Sequence, residues 1–304
     1  VWTAPVSDDP EGRDVARARR ELSAGDFDVL LVCLAGWIPS HAVLGTIDAF
    51  RHKPMVLWGL TGWNEEGRWI TTAAQAGTTA IRGTMEEMGY RFKYVFDAMG
   101  GKTADGGILS FARAAQAAAR LRGARIGSMG YRDMNLYATL HDGVSLRSRI
   151  GPEVETFDML EIERFMAELD AADVASAIAA ARSRWKFEFP ASEETIAKAA
   201  RLYLAVRRKV RERGYEAVSL IDVDGVKKFW KFPPAAAFML LHDEAGVCTI
   251  PENDIMGSVS QLITRYVTGQ AAPYLEFYDF FDAGVLLGVP DYVPSEAVDG
   301  PVMV

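Results

Sequence analysis

The sequence has 304 residues, 49% of them hydrophobic and 24% charged, which is typical of a globular protein with about two domains. The formal net charge of −8 argues against a nucleic-acid partner or an anionic membrane surface, because both require a basic face, and it fits a cytoplasmic enzyme of small substrates. Two cysteines exclude a disulfide scaffold, and no apolar run reaches the 18 residues that indicate a transmembrane helix, so we expect no membrane partner.

The first hundred residues alternate between helical and strand-like patterns. The near-continuous apolar run at 28–35 predicts a strand buried on both faces of a parallel sheet, and a free thiol within it, Cys33, is expected to be buried as well. We predict, in chain order, a helix at 11–24, strands at 28–35, 54–60 and 91–96, and helices between them at 41–50 and 71–89. This alternation predicts a doubly wound α/β domain over residues 1–100.

A second alternation follows the glycine-rich break at 100–107. We predict strands at 124–130, 154–157, 217–221 and 247–250, and helices at 104–122, 159–185, 191–213 and 233–242, with a loop at 135–150. This order predicts a second α/β domain over residues 101–270.

The stretch 248–280 has the most specific pattern in the chain. A short apolar strand ends at Pro251, Glu252-Asn253-Asp254 precedes an amphipathic helix, and Thr268-Gly269 ends it before an extended segment that contains Glu276. If the two strands lie side by side, Glu252 and Glu276 face one site, where two close carboxylates favour a divalent cation with oxygen ligands. The alternative is that Glu252 is a solvated turn residue and Glu276 points outward from an edge strand.

This stretch resembles the L-fucose isomerase / L-arabinose isomerase family of metal-dependent aldose–ketose isomerases. The resemblance is most specific from Glu252 to Glu276 and weak before Leu30. It implies that Glu252 and Glu276 are ligands of a divalent cation, most typically Mn²⁺, and also the acid/base pair. The second position is Asp in the fucose branch. Glu276 keeps the charge but has a longer reach.

The resemblance also implies two Rossmann-like domains followed by a β-rich C-terminal domain, which would begin at residues 271–304. The family takes its remaining metal ligand, a His, from that last domain. Because this sequence begins with Val1 and stops at Val304, before any such segment, we expect both ends to be incomplete.

Trp37 follows the first buried strand, and an indole face suits the apolar C–H surface of a sugar. The resemblance implies that Trp37 contacts substrate in a neighbouring subunit of a homo-oligomer, either a trimer or a hexamer. The alternative is a Trp wedged between helix and sheet. Lys227 and Lys228 lie after the strand at 217–221, where a lysine could bind a sugar hydroxyl, but exposed loop lysines are the preferred interpretation.

The sequence therefore predicts a metal-dependent aldose–ketose isomerase that acts on a fucose- or arabinose-like sugar through an enediol. The alternative is a sugar-binding protein or a non-catalytic relative of the isomerases, neither of which needs the carboxylate pair. The sequence does not identify the sugar.

Overall fold

The structure is a computed structural model that describes residues 3–7, 11–289 and 292–304. The chain divides into two compact units, Val1–Ala119 and Arg120–Val304, and both have a mixed α/β architecture with a parallel sheet. Within the described ranges, no helix combines the length and the apolar composition needed to cross a bilayer.

The first unit contains a three-stranded parallel sheet in the order β1-β2-β5 and a separate two-stranded hairpin. Its elements are α1 (Arg13–Ser23), β1 (Leu30–Leu34), α2 (Ser40–Ile47), β2 (Met55–Gly59), β3 (Trp63–Glu65), β4 (Arg68–Ile70), α3 (Ala74–Glu87), β5 (Phe92–Phe96) and the beginning of α4 (Asp105–Gly123). The predicted α/β alternation is confirmed, and helices connect successive parallel strands as such sheets require.

Two features of the first unit differ from the predictions. Strand β1 alternates instead of being buried on both faces: Leu30, Val32 and Leu34 face the core, whereas Leu31 is 43% exposed and Cys33 is exposed. The expected burial of the Cys33 thiol is therefore wrong. The second difference is the β3–β4 hairpin, which was not predicted. Its turn places Glu66 and Gly67 at positive φ, the conformation of a two-residue hairpin loop.

The second unit contains a four-stranded parallel sheet in the order β7-β6-β8-β9. Its elements after α4 are β6 (Arg125–Met129), α5 (Gly143–Arg149), β7 (Glu153–Phe157), α6 (Met159–Ala167), α7 (Ala171–Arg184), α8 (Glu193–Arg213), β8 (Ala217–Leu220), α9 (Ala235–Ala245), β9 (Cys248–Ile250), α10 (Ile255–Thr268), β10 (Glu276–Phe281) and β11 (Gly284–Gly288). A nine-residue π-helical segment, Asp222–Trp230, lies between β8 and α9.

Aspartate caps explain two of the differences from the predicted elements of this unit. The single helix predicted at 159–185 is two helices, because Asp170 begins α7 by accepting the N–H of Ala172. The loop predicted at 135–150 contains α5, which begins where Asp142 accepts the N–H of Ser145.

The strand that begins at Glu276 does not lie beside β9, so that prediction is wrong. Strand β10 pairs antiparallel with β11 in a two-stranded sheet of its own. Only residues 282–283 separate β10 from β11. Closing this two-residue loop costs less conformational entropy than closing the longer loop that would pair β10 with a strand of the parallel sheet.

The core of the second unit lies around α8 and α9. Phe238 of α9 is fully buried, and its ring lies 5.2 Å from that of Tyr292, which is also buried. Val302 belongs to the same core, and the N–H of Lys186 donates to its carbonyl oxygen. Residues 292–304 therefore contribute to the core of this α/β unit.

We expect Phe238→Ala to lower the free energy of unfolding of the second unit by about 3–5 kcal/mol, because it leaves a cavity beside Tyr292. Urea unfolding followed by circular dichroism would measure the loss. The control is Phe189→Ala, which removes a ring that is 74% exposed and should change stability by less than about 0.5 kcal/mol. Equal effects of the two substitutions would contradict this assignment of the core.

Candidate functional site

Acidic side chains follow three neighbouring strands of the second unit at the same edge of the sheet. Strands β6, β8 and β9 are adjacent and parallel, and Asp133, Asp222 and Glu252 come shortly after their respective ends. The carboxyl edge of a parallel sheet is where ligands bind in open α/β folds. Glu252 itself lies between β9 and α10.

The backbone at Glu252 is in a conformation that residues with a side chain seldom adopt. Glu252 and Asn253 have φ angles of 63° and 54°, both in the left-handed region. Each such residue costs about 1–3 kcal/mol and persists only where its surroundings hold it. Asp254 then ends the turn as the N-cap of α10 by accepting the N–H of Gly257 at 2.9 Å.

Buried hydrogen bonds hold this turn against the sheet. The N–H of Glu252 donates to Asp222 Oδ1 at 2.7 Å, and the N–H of Asn253 donates to the carbonyl oxygen of Leu220 at 3.2 Å. The side-chain amide of Asn253 donates to the carbonyl oxygen of Met129 at 2.8 Å and to Ser128 Oγ at 3.2 Å. The turn is thus hydrogen-bonded to the ends of both β6 and β8, and these bonds fix its geometry.

Asp222 is a fully buried carboxylate with a charged partner. Its Oδ2 lies 3.1 Å from Lys227 Nζ, and its Oδ1 accepts from Glu252. Burial raises the pKa of Asp222 from its ordinary value of 3.8 to about 6, and the nearby charge of Asp133 acts in the same direction. The Glu252 N–H and the Lys227 ammonium oppose the rise.

Asp133 is the second fully buried carboxylate, and it fixes the start of the π-helical segment. Its Oδ2 accepts the N–H of Val223 and its Oδ1 accepts the N–H of Asp224, both at 2.7 Å. A carboxylate that accepts several backbone N–H groups satisfies donors that a helix start leaves unpaired. The segment that contains Lys227 is therefore held in place at its first turn.

The two lysines of the π-helical segment differ in their surroundings. The Lys227 side chain is 31% exposed and points to the buried Asp222. The Lys228 side chain is 65% exposed and pairs with Asp224 at 2.8 Å. The expectation of an exposed loop lysine is confirmed for Lys228 but not for Lys227, which lies at the candidate site.

Glu276 lies beside Tyr274 in the second unit. The Tyr274 hydroxyl lies 3.3 Å from Glu276 Oε1, to which it donates. Burial raises the pKa of Tyr274 above its usual range, and the negative charges of Glu252, Glu276 and Asp254 raise it further. Both predicted carboxylates therefore act on one hydroxyl group, although β10 does not lie beside β9.

The donor chemistry of this site suits a hard cation only in part. Glu252 and Glu276 are oxygen donors of the type that divalent ions such as Mn²⁺ accept. In the part of the chain that the structure describes, no group of three or more His, Cys, Asp or Glu side chains could by itself hold a metal ion. A complete ligand set at Glu252 and Glu276 would need a further donor.

Trp37, the predicted substrate-binding residue, belongs to the first unit. It follows β1, and its main-chain N–H donates to the carbonyl oxygen of Thr72 at 2.9 Å. The residue is 61% exposed. It is thus not wedged between helix and sheet, which was the alternative interpretation.

Asp133, Asp222, Lys227 and Tyr274 extend the site beyond the residues predicted from sequence. A signal for Asp222 was available, because it directly follows the predicted strand at 217–221 and so had to lie at the carboxyl edge. Tyr274 lies two residues before Glu276, and no sequence pattern marks it as a site residue. The chain matches no protein-family model, and a search among curated proteins also gives no match.

We expect Asp222 to make the metal-free protein less stable as the pH rises from about 4 to about 6. Its folded-state pKa of about 6 lies above the ordinary value of 3.8, so the native state keeps a proton that the unfolded chain loses over this range. Relative to that of Asp222→Asn, the free energy of unfolding of the wild type should fall by at most about 3 kcal/mol between these pH values, and by little more above them.

Urea unfolding of the chelator-treated protein at several pH values would measure this difference. The control is Asp224→Asn, because hydrogen bonding to Lys228 lowers the pKa of Asp224 and its contribution changes only at lower pH. A constant stability difference between wild type and Asp222→Asn from pH 4 to pH 6 would show that Asp222 is ionised throughout.

Proposed function

We propose that this chain is a metal-dependent aldose–ketose isomerase that acts on a fucose- or arabinose-like sugar. Two observations support the proposal: Glu252 follows β9 at the carboxyl edge of the sheet, and the Tyr274 hydroxyl, whose pKa the charges of Glu252 and Glu276 both raise, lies 3.3 Å from Glu276 Oε1. This is the pair for which the sequence resemblance implies metal and acid/base roles. In this proposal the two α/β units are Rossmann-like domains of a cytoplasmic homo-oligomer.

Glu252 and Glu276 would hold the cation, most typically Mn²⁺, together with a further ligand. A bound divalent cation supplies Lewis-acid polarisation of the substrate carbonyl, which acidifies the proton on the adjacent carbon. The carboxylate pair is expected to perform the two proton transfers. One carboxylate removes the carbon-bound proton and returns it to the neighbouring carbon, and the other moves the hydroxyl proton between the two oxygens. The sugar loses and regains one C–H bond and one O–H bond, so the isomerisation needs no external oxidant.

Tyr274 would keep Glu276 oriented during these transfers. Its raised pKa keeps the phenol protonated at neutral pH, so that it remains a hydrogen-bond donor to Glu276 Oε1. Glu252 has a different support, because its main chain is bonded to the buried Asp222. Each residue of the pair thus has its own hydrogen-bonding partner in the second unit, Glu252 through its main-chain N–H and Glu276 through its carboxylate.

We expect Glu252→Gln to reduce turnover by at least about a hundredfold while the fold is kept, because an amide can neither accept the substrate proton nor give a negative ligand. The assay is ketose formation from a panel of aldoses by chelator-treated protein, with and without added Mn²⁺. The matched control is Glu163→Gln, an exposed carboxylate of α6, which should keep full activity.

Activity that Mn²⁺ restores in the wild type, and that Glu252→Gln lacks, would support the proposal and identify the sugar. Wild-type activity in Glu252→Gln would refute the assignment. Sugar binding by the wild type without any metal dependence or turnover would favour the alternative, a sugar-binding or non-catalytic relative of the isomerases.

Trp37 provides a test of the proposed homo-oligomer. If its exposed indole contacts substrate in a neighbouring subunit, Trp37→Ala and Glu252→Gln each inactivate a different part of a shared site. Subunit exchange between the two variants at equal amounts should then restore about a quarter of the wild-type activity, since about one site in four combines two intact halves in a closed ring. Activity measured before and after exchange would check this, and no recovery would place Trp37 outside the shared site.

A further inference from the structure

Asp222 connects three elements at the carboxyl edge of the second unit. It lies directly after β8, its Oδ1 accepts the N–H of Glu252 after β9, and its Oδ2 pairs with Lys227 in the π-helical segment. The side chain is completely buried. Burying a carboxylate is costly unless its charge is paired or hydrogen-bonded. Here Oδ1 accepts from the main chain of the residue proposed as a metal ligand, and Oδ2 forms an ion pair with a lysine.

The hydrogen bond to Glu252 opposes a strained backbone. Glu252 has a Cβ atom and a φ angle of 63°, so its turn would relax without a partner that fixes it. The N–H donates to a carboxylate oxygen at 2.7 Å, and charge-assisted hydrogen bonds of this kind are about twice as strong as neutral ones. The direction of the Glu252 side chain therefore depends on Asp222, which is 30 positions earlier in the sequence.

The ion pair with Lys227 has a defined geometry as well. Asp133 accepts the N–H groups of Val223 and Asp224 and so holds the first turn of the π-helical segment. Lys227 lies farther along the same segment, and its ammonium is 3.1 Å from Asp222 Oδ2. Lys228, the next residue, pairs with the partly exposed Asp224 instead and offers a comparison within the same segment.

We propose that Asp222 is the positioning residue of this site, which holds Glu252 through its main chain and Lys227 through its ammonium. This inference rests on the proposed function and adds to it the residue that sets the geometry of the metal ligand. Partners that orient a metal ligand commonly change metal affinity or activity by about 10–100-fold when they are replaced.

The test measures Mn²⁺ binding as well as turnover. Asp222→Leu removes both acceptor oxygens, and we expect the dissociation constant of Mn²⁺, from electron paramagnetic resonance titration of chelator-treated protein, to rise about 10–100-fold. We expect kcat to fall by a similar factor while KM for the sugar changes by less than about threefold. Asp222→Asn keeps an acceptor for the Glu252 N–H but loses the charge that pairs with Lys227. Its neutral acceptor gives a weaker hydrogen bond to the Glu252 N–H, so we expect smaller losses of Mn²⁺ affinity and kcat than in Asp222→Leu, but still more than about threefold.

The matched control is Asp224→Asn, which removes the carboxylate that pairs with Lys228 and should change neither measurement. Circular dichroism and urea unfolding establish that each variant is folded. If Asp222→Leu does not fold, Asp222→Asn decides: a loss of more than about threefold in Mn²⁺ affinity supports the inference, and wild-type affinity overturns it.

Wild-type Mn²⁺ affinity and turnover in folded Asp222→Leu would also overturn the inference. The proposed function would still stand in that case if Glu252→Gln is inactive. An active Glu252→Gln would instead remove the proposed function itself, so the two failures are distinguishable.

Discussion

The hydrogen bond from the Glu252 N–H to Asp222 Oδ1 is the contact on which the geometry of the candidate site depends. It joins the ends of two parallel strands, β8 and β9, at the edge where their loops diverge. The same turn is bonded to the end of β6 through Asn253. Three neighbouring strand ends are thus connected by side chains, and a left-handed turn that would be costly by itself is held by groups of low mobility.

The strands and helices of both units could be predicted from sequence because their burial produces a regular pattern. Strands such as β2 are buried along most of their length and read as apolar runs, and α10 has an apolar stripe at helical spacing. The β3–β4 hairpin gave no such signal. Every residue from Trp63 to Trp69 is exposed, so β3 and β4 show no alternation of apolar and polar residues. Their pairing is set by the turn at Glu66 and Gly67.

The candidate site could be predicted only at the residues with a local sequence signature. Glu252 stands in a distinctive turn before a helix, and Glu276 follows the glycine that ends that helix. Asp222 and Asp133 take their place in the site from hydrogen bonds to residues 30 and 90 positions away, and the local sequence shows only that Asp222 follows a strand. The paired strands that were expected to bring the carboxylates together do not exist. Tyr274, just before β10, is the hydroxyl on which the charges of both carboxylates act.

The two carboxylates of the pair are held to different degrees. Glu252 lies on a turn with buried bonds to β6 and β8. Glu276 is the first residue of a hairpin whose aromatic side chains, Phe277 and Phe280 among them, are largely exposed, and two-stranded hairpins are only marginally stable by themselves. Its carboxylate accepts a hydrogen bond from Tyr274, two residues earlier, whose side chain packs against the core of the second unit.

This difference has a chemical consequence for a site that, as proposed, both binds a cation and transfers protons. A ligand on a fixed turn defines the position of the cation, because its main chain does not have to be ordered during binding. A carboxylate at the start of a hairpin can change its direction as a substrate enters. If the pair works as proposed, Glu252 sets the geometry and Glu276 adapts to it. The buried Asp222, rather than either ligand, then determines how accurately the site is formed.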